Sequence, residues 1–514
     1  MQNRRDQVQA HMFVMGRLTS GLLRTDLDAP ESPVGRTNRG LAIGIVVSLL
    51  IAAGAFVWGL ISPATSNSWR AEGTLIVDED TGSRYFYDNG ELRPVLNYAS
   101  AKLLAGASRS GLTSRTVGTD ALRSTPRGLP VGISGAPDVL PDPEALAKSR
   151  PWLVCSAPAE GAGTESTVLS VASAAAQRPL PRGGAVLVSD PSGDRHLVWQ
   201  GARLRIDGRS SALEGLGYGS AVPRKVSAAF LDALPAGPDL APAALAGLGG
   251  PGPSLGSLTT RVGQVFRTTV PGAERGQYYL LREQGLVPLT NTQAALQLSD
   301  PQTGRKAYGG SSAHARELEP GALKGRLAPG SDAFSADAAA GMPESPPTLA
   351  RIEEEQGLCS SVTPGAGSGS GVRVGVALVD QGALGRAVKR PFTAVADACL
   401  AVDAVVVGPG EGALVRAGSA AGGQVGGTRY LVTDTGVKHR LPTQADADAL
   451  GYGGSQVRTV PSLLLSMLPT GPDLGSTAAA VAPETGEETP KPVCRSAKAT
   501  GSAEKPSTSQ GASE

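Results

Sequence analysis

The sequence predicts a β-rich α+β fold in which one transmembrane helix precedes an extracytoplasmic domain of repeated units around a central β core. Three observations predict it: a duplicated segment, one long uncharged apolar run, and cysteines that all follow that run. The chain has 514 residues, 68 of them Gly and 39 Pro, which favours several loop-rich units over one compact core. Its net charge of +1 argues against a nucleic-acid partner.

The N-terminal segment 4–24 is predicted to be an amphipathic helix, because its apolar residues recur at spacings of three and four. These residues are Val8, Met12, Met15, Leu18 and Leu22. The helix could lie on a lipid surface or dock against a cytoplasmic partner, and its two methionines and narrow stripe favour the partner. Residues 28–33 are expected to form an extended spacer. We assign residues 1–40 to a cytoplasmic segment.

Residues 41–61 are predicted to cross a membrane. They include no charged residue, and 21 residues is the length needed to cross about 30 Å of hydrocarbon. A cleavable signal peptide with its site in 62–66 is the alternative, but the run starts late and is longer than a signal core, which favours a retained anchor. Arg36 and Arg39 precede the run, so the positive-inside rule places the N-terminus in the cytoplasm and the rest outside.

The duplication joins two segments, 216–240 and 450–474, at a constant offset of 234 residues. Thirteen of their 25 positions are identical; both begin LGYG, and they end LPAGPDL and LPTGPDL. Such spacing indicates a repeated structural unit. The two segments are preceded by strand–turn–strand patterns at 196–206 and 430–441, each with a glycine in its turn.

A short helix is expected after each LGYG, since apolar residues there fall at helical spacing. They are Val226, Phe230, Leu231 and Leu234 in one copy, and Val460, Leu464, Leu465 and Leu468 in the other. Weaker hairpin patterns at 85–96 and 278–289 raise the expected number of hairpin-plus-helix units to four.

Val-rich runs outside the hairpins are expected to form the central β core. They lie at 152–155, 185–188, 372–379 and 402–407. The extracytoplasmic domain is therefore assigned to residues 62–475. Residues 476–514 lack apolar periodicity and are expected to form a disordered tail.

The four cysteines favour disulfides, because their number is even and all follow the anchor. They are Cys155, Cys359, Cys399 and Cys494, and the spacing leaves three connectivities open. The absence of a C-x-x-C pair and the presence of only four histidines argue against zinc.

We find no credible catalytic motif and assign no catalytic, cofactor-binding or metal-binding residue. None of the ten lysines follows a glycine, so the P-loop pattern is absent. The G-x-G-x-x-G match at 247–252 and the G-x-S-x-G match around Ser254 both lie in a Gly/Pro run, where the required strand and helix are not expected. His196 and His439 are expected to be surface residues of the hairpins.

Several motifs resemble the EccB family of the type VII (ESX) secretion system. They are Arg4-Arg-Asp-Gln-Val-Gln-Ala-His-Met-Phe with Arg17-Leu, the single anchor after about 40 residues, the GPDL repeat ends, Trp152-Leu-Val-Cys155 and Gly357-Leu-Cys359. The resemblance implies four repeats around a β core and a disulfide between Cys155 and Cys359. Cys399 and Cys494 lie outside the family pattern, and their pairing is a hypothesis.

The resemblance also implies partners and activities. It implies an inner-membrane complex with an EccC-like motor and an EccD-like multi-spanning subunit, self-association, and export of small WXG100-type proteins. It also ascribes ATP hydrolysis to the family and makes peptidoglycan contact a secondary possibility. The leading hypothesis is a non-enzymatic scaffold subunit; the alternatives are an extracytoplasmic ATPase, with ATP as its only conceivable cofactor, and a cell-wall-binding module.

Overall fold

The computed structural model describes residues 4–24, 33–61, 67–107, 112–158, 165–269, 276–331, 340–366, 371–388, 394–419 and 424–482, together with Cys494. Two long helices come first, α1 (Arg4–Arg24) and α2 (Pro33–Ile61). Pro33 begins α2, a position where its missing N–H costs no hydrogen bond. The helix thus starts eight residues before the predicted anchor, and the rest of the predicted spacer lies outside the described residues.

The described residues after α2 form four units and a central sheet. A 3-10 helix at Asn67–Arg70 leads into unit 1, which contains β1 (Thr74–Asp78), β2 (Arg84–Asp88), β3 (Glu91–Pro94), α3 (Tyr98–Ala107), β4 (Thr113–Val117) and α4 (Thr119–Leu122). The chain continues through α5 (Pro143–Ala147), β5 (Trp152–Pro158), β6 (Glu165–Ser170) and β7 (Arg178–Pro179). Unit 2 contains β8 (Gly184–Ser189), β9 (Arg195–Trp199), β10 (Ala202–Arg205), α6 (Ala212–Gly215), β11 (Arg224–Lys225) and α7 (Ala228–Asp232).

The second part of the chain repeats this order. Unit 3 contains β12 (Val265–Thr268), β13 (Gln277–Arg282), β14 (Gly285–Leu289), α8 (Asn291–Ser299), α9 (Pro301–Ala307), β15 (Arg316–Glu317) and a 3-10 helix at Pro320–Leu323. Next come β16 (Thr348–Leu349), β17 (Gln356–Thr363), β18 (Gly365–Ala366), β19 (Arg373–Asp380), a 3-10 helix at Gln381–Leu384 and β20 (Ala404–Val406). Unit 4 contains β21 (Ala413–Gly418), β22 (Gln424–Val432), β23 (Lys438–Leu441), α10 (Gln444–Ala449), a 3-10 helix at Gly454–Gln456, β24 (Arg458–Pro461) and α11 (Ser462–Ser466), followed by α12 (Ser476–Ala480).

All four units share one strand topology. The first three strands form an antiparallel meander, and a fourth strand, reached through a helix, pairs parallel with the first. The segment after the second helix then returns to the third strand and donates backbone hydrogen bonds to it, one of which is equivalent in all four units. The four equivalent bonds run from Gly128 to Leu92, Gly237 to Arg203, Ala328 to Leu286 and Gly471 to Lys438, at N···O distances of 3.1, 2.9, 2.9 and 2.9 Å.

The fourth strand corrects part of the predicted helix. Val460 lies on β24, and the Val226 N–H extends the parallel ladder by donating to Ser189 O at 3.0 Å. The helices α7 and α11 begin only at Ala228 and Ser462. The spacing alone assigned Val226 and Val460 to the wrong element, because residues four positions apart lie on the same face of a strand as well as of a helix. Each unit is therefore a three-stranded meander followed by helical structure, a fourth strand and a further short helix.

The central sheet has strand order β20-β6-β5-β17-β19-β7. The runs at 152–155, 372–379 and 402–407 contribute to it as predicted, on β5, β19 and β20. The prediction for 185–188 is wrong, because these residues lie on β8, the first strand of unit 2. A buried Val-rich run shows that a strand is covered on both faces, but it does not show which sheet contains it.

The predicted start of the tail at 476 is also too early. Ser476–Ala480 form α12, and Ala479 is fully buried against the cluster that contains α3. The Ser476 N–H donates to the carboxylate of Asp446 at 2.8 Å, so the cap of α10 also holds α12. Residues 483–493 and 495–514 lie outside the described part of the chain.

Candidate functional site

The body consists of two halves, residues 67–241 and 242–482, each with an outer unit (unit 1 or 3) and an inner unit (unit 2 or 4). The second helices of both inner units, α7 and α11, pack against the central sheet in one hydrophobic cluster with Trp152. Each outer unit packs against the inner unit of the other half, through α3 on α10 and through α8 on α6. The two halves are therefore exchanged, in the sense that each half contributes its outer unit to the packing of the other half's inner unit.

Both helix contacts depend on a glycine where the helices approach. A Cβ on Gly106 of α3 would lie 2.2 Å from Ala449 Cβ, and one on Gly215 of α6 would lie 2.4 Å from Ser299 Cβ. Neither separation is possible for two carbon atoms, so these two glycines set how closely the exchanged units pack. The same device at both contacts indicates that the two halves follow one design.

Each inner unit also binds the linker that leaves the opposite outer unit. In unit 2, Tyr218 Oη donates to Pro347 O at 2.7 Å and Arg224 Nη2 donates to Gln356 O at 2.9 Å. Pro347 lies in the linker after unit 3, and Gln356 is the first residue of β17, where that linker enters the central sheet. Tyr218 is buried, and burial raises the pKa of its hydroxyl to about 12. The hydroxyl therefore stays protonated and able to donate.

Unit 4 repeats this contact on the linker after unit 1. Tyr452 Oη donates to Pro141 O at 3.0 Å, and Arg458 Nη2 donates to Ala147 O at 2.7 Å. Tyr452 is almost fully buried, which raises the pKa of its hydroxyl. The identical positions of the duplicated segment, Tyr218/Tyr452 and Arg224/Arg458, thus hold the halves together.

The Cys155–Cys359 disulfide lies at the centre of this arrangement. The two residues face each other on β5 and β17, and their neighbours are also paired symmetrically, Leu358 with Ser156 and Ser360 with Val154. Both cysteines are fully buried. The bond joins residues 204 apart in sequence, so it restricts the unfolded chain strongly, by about 5 kcal/mol in the loop-entropy description. It covalently joins the two halves.

The second disulfide joins Cys399 to Cys494, at a Cα–Cα distance of 5.4 Å. Both residues are exposed. This bond attaches Cys494, which follows α12 in sequence, to the segment between β19 and β20 of the central sheet.

The two hairpin histidines are buried, contrary to the prediction of surface positions. His439 Nδ1 lies 3.0 Å from Pro472 O, and burial lowers the pKa of this histidine to about 4. Its ring explains one residue of the GPDL motif, because a Cβ on Gly471 would lie 2.3 Å from His439 Cε1. Burial also lowers the pKa of His196, which lies 3.8 Å from an Asp190 carboxylate oxygen. Both imidazoles are neutral structural groups at pH 7.

The predicted partner-binding stripe lies on a helix with no cover in the described chain. Val8, Met12, Met15, Leu18 and Leu22 are 52–83% exposed. Helix α2 contains the one described segment long and apolar enough to cross a membrane, Thr37–Trp58, and none of it is buried by the rest of the described chain. Both apolar surfaces are therefore left uncovered by the described residues.

The two rejected motifs lie in the loop that follows unit 2. Ser254 is exposed in a loop, and neighbouring Gly252 donates to Thr260 O at 3.0 Å in the same loop. Across the described ranges, no group of three or more His, Cys, Asp or Glu side chains could hold a metal ion.

Sequence reasoning missed one feature of unit 4, a groove of about 920 Å³ with Lys438 and Ser466 in its lining. Lys438 is nine-tenths buried. The available signal was a difference between the repeats, since unit 2 has Arg203 and Asp232 at the matching positions. The sequence alone does not show that Arg203 and Asp232, 29 positions apart, are in contact, so the importance of this difference could not be recognised.

Comparison with known proteins gives a consistent result. The family model described as "Type VII secretion system ESX-1, transport TM domain B" matches residues 2–486. A curated relative, the ESX-3 secretion system ATPase EccB3 of Mycolicibacterium smegmatis, is 28% identical over 494 residues, covering 93% of this chain and 90% of the relative.

Two solved structures show a similar fold. The periplasmic assembly from the ESX-5 inner membrane complex gives a TM-score of 0.62 at 25% identity, covering 83% of this chain and 99% of the other. The EccB3 dimer from the ESX-3 core complex gives a TM-score of 0.61 at 26% identity, covering 79% and 100%.

Proposed function

The chain belongs to the EccB family of ESX type VII secretion components, and from that premise we propose that it is a structural scaffold subunit of an ESX inner-membrane complex. In this proposal α1 binds cytoplasmic subunits, α2 lies among membrane helices, and the exchanged body self-associates outside. The partners are an EccC-like motor and an EccD-like multi-spanning subunit, and the exported clients are small WXG100-type proteins. The similar dimer and periplasmic assembly support the self-association.

One observation carries this proposal: the apolar stripe of α1 and the apolar helix α2 that follows it have no cover within the described chain. Apolar surface left in water costs about 25 cal/mol per Å², so both helices need an apolar environment. For α2, whose surface is apolar all round, that environment is lipid or other membrane helices. For α1, whose stripe is narrow, a groove on a protein partner fits better than a flat lipid surface.

Deleting residues 2–24 tests the role of α1. We expect the truncated chain to stay in the membrane fraction through α2 but to lose co-purification with the other complex subunits. A sharper variant replaces Met12, Met15 and Leu18 by serine. Its matched control places serines at Asp6 and Ala10, on the opposite face of the helix. Unchanged co-purification of the stripe variant would sink the proposed docking role.

The orientation is tested separately, by protease treatment of sealed inverted and right-side-out membrane vesicles. Arg36 and Arg39 precede the span, which supports a cytoplasmic N-terminus. An N-terminal tag should be cleaved in inverted vesicles alone, while a tag after residue 482 should be cleaved in right-side-out vesicles alone. The opposite pattern would reverse the assignment.

A second candidate function is ATP hydrolysis, which is suggested by the name of the relative, an ESX-3 secretion system ATPase. The test is ATP turnover by the full-length chain after two independent purifications. Turnover that follows the chain through both purifications would favour the hydrolase, and turnover that separates from the chain would leave the scaffold role alone.

A further inference from the structure

Units 2 and 4 share one strand topology. They differ in a pair of residues, one on the third strand and one in the second helix. In unit 2, Arg203 on the third strand forms an ion pair with Asp232 at the end of α7, with an N···O distance of 2.8 Å. The equivalent residues of unit 4 are Lys438 and Ser466. The equivalence follows from the backbone, because Gly237 N donates to Arg203 O as Gly471 N donates to Lys438 O. Unit 4 therefore has a cation at the first of these positions but no carboxylate at the second.

The Lys438 ammonium lies in a buried position, where an ionised group costs free energy. The side chain is nine-tenths buried, and its Nζ donates to the carbonyls of Leu465 and Leu468, the latter at 2.8 Å. An ammonium carries three donors, so two carbonyls leave one for another acceptor. Within the described residues, Lys438 has no carboxylate at ion-pair distance. Burial lowers the pKa of Lys438 to about 8, and no nearby carboxylate counters that effect.

An open groove of about 920 Å³ lies beside this ammonium. Its lining is mainly apolar and hydroxyl-bearing, including Ala417, Tyr430, Leu465, Ser462 and Ser466. Arg440 and Asp473 also line it, but they are paired with each other, with Arg440 Nε 2.9 Å from Asp473 Oδ2. His439 is on the opposite face of the strand, beneath Gly471. The uncompensated charge in the groove is therefore that of Lys438.

We propose that the groove of unit 4 binds a carboxylate carried on an aliphatic group, with the carboxylate accepting from Lys438 in the place that Asp232 occupies in unit 2. A charge-assisted hydrogen bond to a buried ammonium is one of the stronger polar contacts in proteins. The aliphatic part lies against the apolar lining and excludes water from the pair. The inference is independent of the proposed scaffold function, since it follows from the two units alone.

Binding is measured by NMR on the full-length chain in nanodiscs, with lysines carrying ¹³C at Cε so that the ammonium keeps its three donors. The probes are N-acetyl-leucine and hexanoate, with N-acetyl-leucinamide and hexanol as uncharged counterparts. We expect either acid to shift the Lys438 signal saturably at millimolar concentration, with at least tenfold weaker binding of its uncharged counterpart. A response to N-acetyl-leucine alone indicates a peptide-like ligand, and one to hexanoate alone an acyl ligand.

Two variants decide whether the site is the one described. Ser466→Asp restores the unit 2 pair inside unit 4 and should weaken acid binding at least tenfold while keeping Lys438. Its matched control, Asp232→Ser in unit 2, should leave binding unchanged. A wild-type chain that binds neither acid, or a Ser466→Asp chain that binds them as the wild type does, would overturn the proposal.

Discussion

Units 2 and 4 are two copies of one structure, and their differences separate architecture from specialisation. Both hold the opposite linker with a buried tyrosine and an arginine, and both apply their second helix to the central sheet. Unit 2 closes its third strand with an exposed ion pair and the apolar Leu204. Unit 4 has the buried Lys438 and His439 at these positions, beside a groove. The tyrosine, arginine and second-helix contacts that the two units share join the halves. The residues that differ form a buried polar site in unit 4 and not in unit 2.

The largest expected difference between the two units is in their response to acid. The pKa of His439 falls from 6.5 to about 4 on folding, so between these values the unfolded chain binds more protons and stability decreases as pH falls. At about 1.4 kcal/mol per pKa unit, the loss approaches about 3 kcal/mol near pH 4. His439→Leu, which copies Leu204, should reduce this slope and leave the part contributed by His196, whose pKa burial also lowers. Urea unfolding of both chains from pH 7 to pH 4 measures it, and identical slopes would contradict the assignment to His439.

The second largest difference is expected in the stability lost when the GPDL glycine of each unit is replaced by alanine. Gly471→Ala forces a methyl group against the His439 ring and should lower the free energy of unfolding by about 1–3 kcal/mol. Gly237→Ala places its methyl group 3.3 Å from Leu204 Cγ, a contact that small shifts can relieve, and should cost less than about 1 kcal/mol. Thermal unfolding of the two variants compares them directly, and equal losses would show that His439 does not set the requirement.

The linker contacts should behave alike in the two units. Tyr218→Phe and Tyr452→Phe each remove a buried donor and leave one linker carbonyl unpaired, which costs about 1–2 kcal/mol. The two sites share no partner, so the double variant should lose the sum of the two effects. Urea titration measures all three chains. A loss confined to one unit would break the equivalence of the two contacts.

The smallest expected effect comes from exchanging the ion-pair positions. Asp232→Ser gives unit 2 the unit 4 residue and should cost at most about 1 kcal/mol, because the pair is partly exposed. Ser466→Asp should instead stabilise unit 4, because it supplies a carboxylate to a buried ammonium. Opposite signs in calorimetry would support the comparison, and a loss in both variants would contradict it.

The sequence predicted the repeats well because identity at constant spacing survives without knowledge of contacts. The four units, the anchor and three of the four core runs were all readable from apolar pattern and length. The fourth strand of each unit was missed, since β11 is only two residues long and β24 runs directly into a helix. The assignment of 185–188 failed for a related reason, because burial does not identify a partner strand.

Some determinants of this protein lie in the sequence alone. An uncharged run of 21 residues is long enough to cross a bilayer wherever the rest of the chain folds, and 13 identities in 25 positions require two copies of one unit. The tertiary structure decided how the copies are used. It exchanged the halves, placed Cys155 against Cys359, and left Lys438 without the carboxylate that Arg203 has in unit 2. These outcomes join residues more than 300 positions apart, and local pattern contains no information about which distant groups will meet.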